Sequence, residues 1–305
     1  MRVLHLIPVG LSLLEQIRQG VLPTLRPALA VDELPDSVDK VHEALSQATG
    51  HSYELDLNRL GLTGVPRTTS ALDSSMAAEW TSVRAVAAEP RHGAVGGEAY
   101  VFIATDSDDG LRAAILVAAR YQHTIMRYLH EPLTLGTLLV KPGDVYVCRI
   151  PDLDLGNRQP TSTTWRSLGT VGRLVADTAT QTSGWNVVVH LSGGYKAMIP
   201  YLMVLAEGVH SRLRGVRPRP EIRAVAIHDP SIGRDPTISR IVIDIPVRAI
   251  EGDLLTDVEK LKKLTQSDSD IVGAGAPKDL LGLFIEREDP VYRLTAPGLI
   301  MVNVL

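Results

Sequence analysis

Cysteine is nearly missing from this chain: Cys148 is the only one among 305 residues. A lone thiol excludes an internal disulfide framework and a zinc site built from cysteines, and a reducing cytoplasm is the expected setting. An excess of charge of one sign is missing too. The formal net charge is −4 with both signs interspersed, so no global field gathers nucleic acid or an anionic membrane, and any anion must be gripped locally. No apolar run reaches the roughly 18 residues of a membrane-spanning helix, and no unit recurs at a fixed period. The nine histidines are scattered, none four residues from another histidine or an acid in a metal-ligand pattern. No metal and no cofactor is therefore expected.

The start, "MRVLHLIPVGLSLL", combines a positive charge with apolar residues, and Ala28 to Ala30 look like a cleavage site. Glu15, Arg18 and Arg26 interrupt the pattern and a Pro-Val-Gly break divides it, so the stretch is read as part of a folded domain rather than a signal peptide.

What is present is an alternation. "RVLHLIPVG" reads as a buried strand followed by the helix "SLLEQIRQG"; an irregular insertion with short amphipathic pieces runs over about 21–69. A helix in "DSSMAAEWTSVRAVAAEP" leads to the strand "EAYVFIATD" and the helix "LRAAILVAARYQH". The strand "DVYVCRIPDL", the helix "TTWRSLGTVGRLVADTATQ", the strand "WNVVVHLSG" and the helix "YKAMIPYLMVLAEGVHSRLRG" continue the series. "EIRAVAIHD" and "ISRIVIDIPVRAI" close it as a strand pair. Near-continuous apolar strands alternating with helices predict an α/β fold: a Rossmann-like, mostly parallel sheet with helices on both faces and an antiparallel edge, over residues 1–250. Residues 251–305 read as helix, helix and ribbon, a small α+β appendage of winged-helix-like order or the start of a larger effector.

Ligands of such sheets sit at the carboxyl ends of the strands, where strand order reverses. Three loops compete there. In "SGGYK", Ser192, Gly193, Gly194, Tyr195 and Lys196, the glycines let backbone amides approach an anion at a helix start. Lys196 in a first helical turn opposes the macrodipole, which marks a residue kept for a ligand. Ala197 follows it where a P-loop needs a hydroxyl for magnesium, so that chemistry is disfavoured. Val9, Gly10, Leu11 and Ser12 repeat the theme after the first strand, and Thr105, Asp106 and Ser107 offer hydroxyls and a carboxylate after the second. Ser12 and Asp106 would serve equally as helix caps.

With those residues in place the chain resembles a known family. "IPVGLSLL", "MAAEWTSV", "VFIATDSDDGLRAA" and "NVVVHLSGGYKAMIPYL" look like four successive motifs of the CARF (CRISPR-associated Rossmann fold) domains of type III CRISPR defence. The resemblance covers about residues 1–250. It implies a cytoplasmic homodimer that binds a cyclic oligoadenylate, tetra-adenylate favoured over hexa-adenylate, across its two-fold axis. It also implies metal-independent ring cleavage in some members, with Lys196 stabilising charge and Ser12 positioning the nucleophile. Leu11 departs from the threonine common in the family, which bears on ring size and on cleavage. A CARF-linked winged-helix transcription regulator and the sensor part of a longer effector are the alternatives.

Other signals carry less. "RAVAIH", Arg223 to His228, fits the R-x4-H spacing of ribonuclease domains but lies on a strand, where residues five apart face opposite sides. His190 and His228 end strands near the proposed site and read as core histidines. "HSRLRGVRPRPEIR" follows a helix end where cations are welcome, and contact with nucleic acid stays open. No GxGxxG follows the first strand, against a conventional dinucleotide enzyme.

Overall fold

The computed structural model describes residues 1–19, 45–49, 52–56, 77–89, 97–121, 125–130, 132, 138–154, 159–181, 184–194, 196–228, 241–265, 270–273, 275–289 and 291–305. Their central feature is a nine-stranded sheet. In chain order its strands are β1 (Arg2–Pro8), β2 (Leu45–Thr49), β3 (Ser52–Asp56), β4 (Glu98–Ala104), β5 (Ile125–Leu129), β6 (Val145–Arg149), β7 (Trp185–His190), β8 (Ile222–His228) and β9 (Ile241–Ile245). Across the sheet they stand β2-β3-β5-β6-β4-β1-β7-β8-β9. Strands β5 to β8 in that row pair in parallel, while β3 meets β5, β2 meets β3 and β9 meets β8 antiparallel. The expected parallel sheet with an antiparallel edge is thus present, with a second antiparallel edge opposite.

Helices α1 (Ser12–Arg18), α2 (Ala78–Ala87) and α3 (Asp108–Ala119) cover one face; α4 (Ser162–Gln181) and α5 (Ile199–Arg212) cover the other. Alternate residues explain both layers. Leu4 and Leu6 of β1 join Val101, Val187 and Leu168 in one core, while Ile7 joins Phe102, Trp80 and Leu14 in the second. Strands apolar on both sides have no solvated face, which is why they read as continuous hydrophobic runs. Trp80 adds a polar tie by donating its indole N–H to the Val117 carbonyl at 3.0 Å, as buried tryptophans require.

Three expectations change. Residues 45–49, read as the end of an amphipathic piece, form β2, because a hairpin with β3 extends the sheet edge; the rest of the insertion lies outside the described residues. β5 was not foreseen, since "IMRYL" is short and carries Arg127 in its middle. Beyond 250, α6 (Gly252–Leu264) is the expected helix, but "APKDLLGLFIERE" is no helix. It makes a single 3-10 turn at Lys278–Leu280, and Gly282 at φ +81° leads into β11 (Ile285–Glu288). β11 and β10 (Ile271–Val272) flank β12 (Val291–Leu294) in a three-stranded sheet. The expected ribbon ends instead as helix α7 (Ala296–Val304), started by the Thr295 hydroxyl accepting from Gly298 N and by Pro297 in the first turn.

α7 is apolar on all sides, as suits a helix enclosed by others. Its Leu299, Ile300, Met301, Val302 and Val304 belong to the same core as α4 and α5. Glycines admit it: a Cβ on Gly169 would lie 2.6 Å from the Ile300 carbonyl oxygen, and one on Gly172 would lie 2.8 Å from Val304. Gly169→Ala is therefore expected to force α7 away from α4 and cost about 1–3 kcal/mol, seen as a lowered urea midpoint at constant slope. An unchanged midpoint would mean that this close approach does not contribute to stability.

Candidate functional site

The sheet order places β4, β1 and β7 side by side, so the three loops singled out from sequence emerge next to one another. The chain leaves β1 for α1 and α2 on one face and β7 for α5 on the other. In doubly wound sheets such a divergence is where ligands bind.

The loops after β1 and β7 touch. A Cβ on Gly10 would stand 3.3 Å from the Gly194 Cα; one on Gly194, at φ +76°, would stand 2.8 Å from Pro8; one on Gly193 would meet the Pro8 carbonyl oxygen at 2.6 Å. Side chains at 193 and 194 would wedge the loops apart, which is the physical requirement for the glycine pair.

Between the loops lies Glu79, from the first turn of α2, 1% exposed. Its Oε1 accepts from the Gly10 amide at 2.8 Å and from the Gly194 amide at 3.1 Å. The two amides expected to face an anion thus converge on an internal carboxyl. Its other oxygen, Oε2, is buried without a hydrogen-bond partner. Burial raises this carboxyl above the ordinary glutamate range, and the backbone amides of Gly10, Glu79 itself and Gly194 oppose the shift only in part. Glu79 was visible in the sequence only as part of the "MAAEWTSV" motif. Its sole local oddity is an acid flanked by alanines and a tryptophan in a buried turn.

The loop after β4 is organised from within. Asp106 forms an ion pair with Arg149 of β6, and its Oδ2 accepts from the Asp152 amide at 2.7 Å. Asp152 itself adopts φ +58°. Asp106 therefore anchors the loop after β6, and its carboxylate is already committed. Ser107 caps α3, accepting from Gly110 N at 3.0 Å, and lies 3.2 Å from the Thr105 hydroxyl. Ser192 accepts from Ile227 N, tying the β7 loop to β8. Val9 is buried, whereas Leu11, Ser12 and Lys196 are exposed at the rim; Tyr195 lies outside the described residues. Lys196 opens a 3-10 turn, Lys196–Met198, ahead of α5 rather than standing in its first α-turn. Pro200 sets that start, since proline is tolerated only at the beginning of an α-helix.

Beneath the glycine loops runs a buried polar chain. His190 Nδ1 is 2.6 Å from the Ser82 hydroxyl, and its Nε2 is 3.0 Å from His5 Nδ1. His5 Nε2 in turn lies 3.6 Å from Glu98, which accepts from the Tyr100 hydroxyl. One consistent set of ring tautomers has Ser82 donating to His190, His190 donating to His5, and the other His5 nitrogen facing Glu98. His190 is thus a satisfied core histidine, whereas His228 is exposed at the end of β8 and is not the core residue expected, because the strand runs out of cover there. Arg223 is held by Asp244 and Glu89 at 2.7 and 2.8 Å, so its guanidinium is committed to acids within the fold. Burial pushes the Cys148 thiol up, out of reach of thiolate chemistry. Among the described residues no group of three or more histidines, cysteines or acids is placed to hold a metal, and no helix is long and apolar enough to cross a membrane.

The chain matches no protein-family model and is similar to no curated protein at a significant level.

Two outcomes test this geometry. Folding above the ordinary glutamate range takes up a proton at Glu79, so stability falls as pH rises from that range toward the raised value. Glu79→Gln, with nothing to ionise, should gain on the wild type by about 1.4 kcal/mol per pH unit across that window. Urea midpoints between about pH 5 and about pH 8 read the gap, and parallel curves would refute a protonated Glu79. Asp106→Ala leaves the enclosed Arg149 without its carboxylate and should cost about 3 kcal/mol. A near-neutral result would return Asp106 to the candidate ligand contacts.

Proposed function

We propose that this chain is a homodimeric CARF-domain sensor of a cyclic oligoadenylate, cyclic tetra-adenylate in preference to hexa-adenylate, acting in type III CRISPR antiviral defence in the cytoplasm. The observation that carries the reading is the adjacency of β4, β1 and β7, which gathers the loops of three resembling motifs at one switch point. Exposed Ser12 and Lys196 follow two glycines that are in contact across that point. A multiply negative ring lying over the two-fold axis meets this rim twice, once from each protomer.

The residues suit phosphate recognition in a defined way. The Gly10 and Gly194 amides are taken by Glu79, so the Lys196 ammonium and the Ser12 hydroxyl carry the contact. The same pair serves ring opening without a metal. The ribose 2′-oxygen attacks the adjacent phosphorus, the bond to the 5′-oxygen breaks, and the 2′-proton ends on that oxygen. The product is a linear oligoadenylate with a 2′,3′-cyclic phosphate. Lys196 offsets the charge that builds on phosphorus-bound oxygen while Ser12 orients the nucleophile.

A regulator reading retains α6 and the three-stranded sheet β10-β12-β11, while the second helix it expects is reduced to the 3-10 turn Lys278–Leu280. It requires retardation of promoter DNA with a steep salt dependence.

Calorimetry against cyclic tetra- and hexa-adenylate tests the main reading. Lys196→Ala should weaken binding on the order of 10- to 100-fold, as loss of a charge-assisted hydrogen bond of about 1.5–3 kcal/mol implies. Absence of binding to both rings, or an unaltered affinity in the variant, overturns it. Incubating labelled ring with the protein separates sensor from enzyme, because only cleavage yields the linear cyclic-phosphate product.

A further inference from the structure

Glu79 is buried, at 1% exposure, in a place that a carboxylate anion would avoid. One oxygen receives two backbone N–H groups from loops that are remote in sequence, Gly10 and Gly194. The side chain is packed against the second glycine loop, where a Cβ on Gly193 would lie 2.8 Å from the Glu79 Cγ. The causes that shift its ionisation are burial and backbone hydrogen bonds, with no charged side chain among them. A proton on the unpartnered Oε2 would leave Oε1 a strong acceptor for the amides and place no bare charge in the core.

We propose that Glu79 is a positioning residue, acting as a neutral acid that clamps the Gly10 and Gly194 loops through one oxygen and so holds Ser12 and Lys196 in a single site. Ser12 and Lys196 each stand two residues beyond a clamped amide, so the spacing of their backbones is inherited from the clamp. The ligand-facing part of this inference rests on the reading of the site given above; the clamp itself does not.

Glycine-selective amide exchange, followed by NMR on the full chain without ligand, is the first measurement. The Gly10 and Gly194 amides should be protected in the wild type. In Glu79→Ala they should exchange faster on the order of tenfold to a hundredfold, since the acceptor is gone. Should that variant not fold, Glu79→Leu, of similar bulk and unable to accept, replaces it. Glu79→Gln keeps a carbonyl acceptor and should keep the protection. Unchanged exchange in the alanine variant overturns the clamp, and a glutamine variant as labile as alanine overturns the neutral grip. Calorimetry with cyclic tetra-adenylate then reads the site: binding should be lost with alanine and restored with glutamine. A wild-type chain that binds no ring while its two amides still depend on Glu79 overturns the ligand reading and supports the clamp.

Discussion

A single carboxyl oxygen that accepts from the Gly10 and Gly194 amides holds the end of the molecule where the sheet changes direction. β1 and β7 are neighbours, but their continuations leave for opposite faces. Each departing loop has backbone donors that the sheet ladder no longer satisfies. Buried donors must find acceptors, and Glu79 supplies one for both. The glycines, the buried turn of α2 and the closeness of the two loops follow from that requirement. The same helix sends Ser82, one turn on, to His190, so α2 organises the loops and the polar interior of the sheet together.

The other loops are tied down by a similar economy of polar groups. Asp106 accepts from Arg149 and from the Asp152 amide, Ser107 from its own helix, and Ser192 from β8. Each was attractive in the sequence because it is a polar residue at a strand end. In the structure that chemistry is used to build the rim. Among the described candidates, what remains exposed is Ser12 and Lys196 with Leu11 beside Ser12, and the case for function narrows to these.

The layered fold was legible because its evidence is periodic: strands apolar on both faces, helices with one apolar stripe, and loops marked by glycine and proline. β5 escaped because five residues with an arginine at the centre carry too little pattern. The final helix escaped because α7 is apolar all round, so periodicity had nothing to distinguish; its groove depends on Gly169 and Gly172 of a distant segment. In the site, positions were legible but partners were not. That Gly10 lies against Gly194, and that an acid 69 residues further on meets both, is a fact of tertiary packing. A sequence shows which groups seek a hydrogen bond, and only the fold shows which of them have already found one inside the chain.

Cys148 sits in β6 at 0% exposure, with its thiolate form disfavoured by burial. The native chain is consequently silent toward maleimide dyes while folded. A reporter cysteine introduced on the exposed rim would take up a single fluorophore without removal of the natural thiol, and movements of the two loops could then be watched optically in an otherwise unaltered protein.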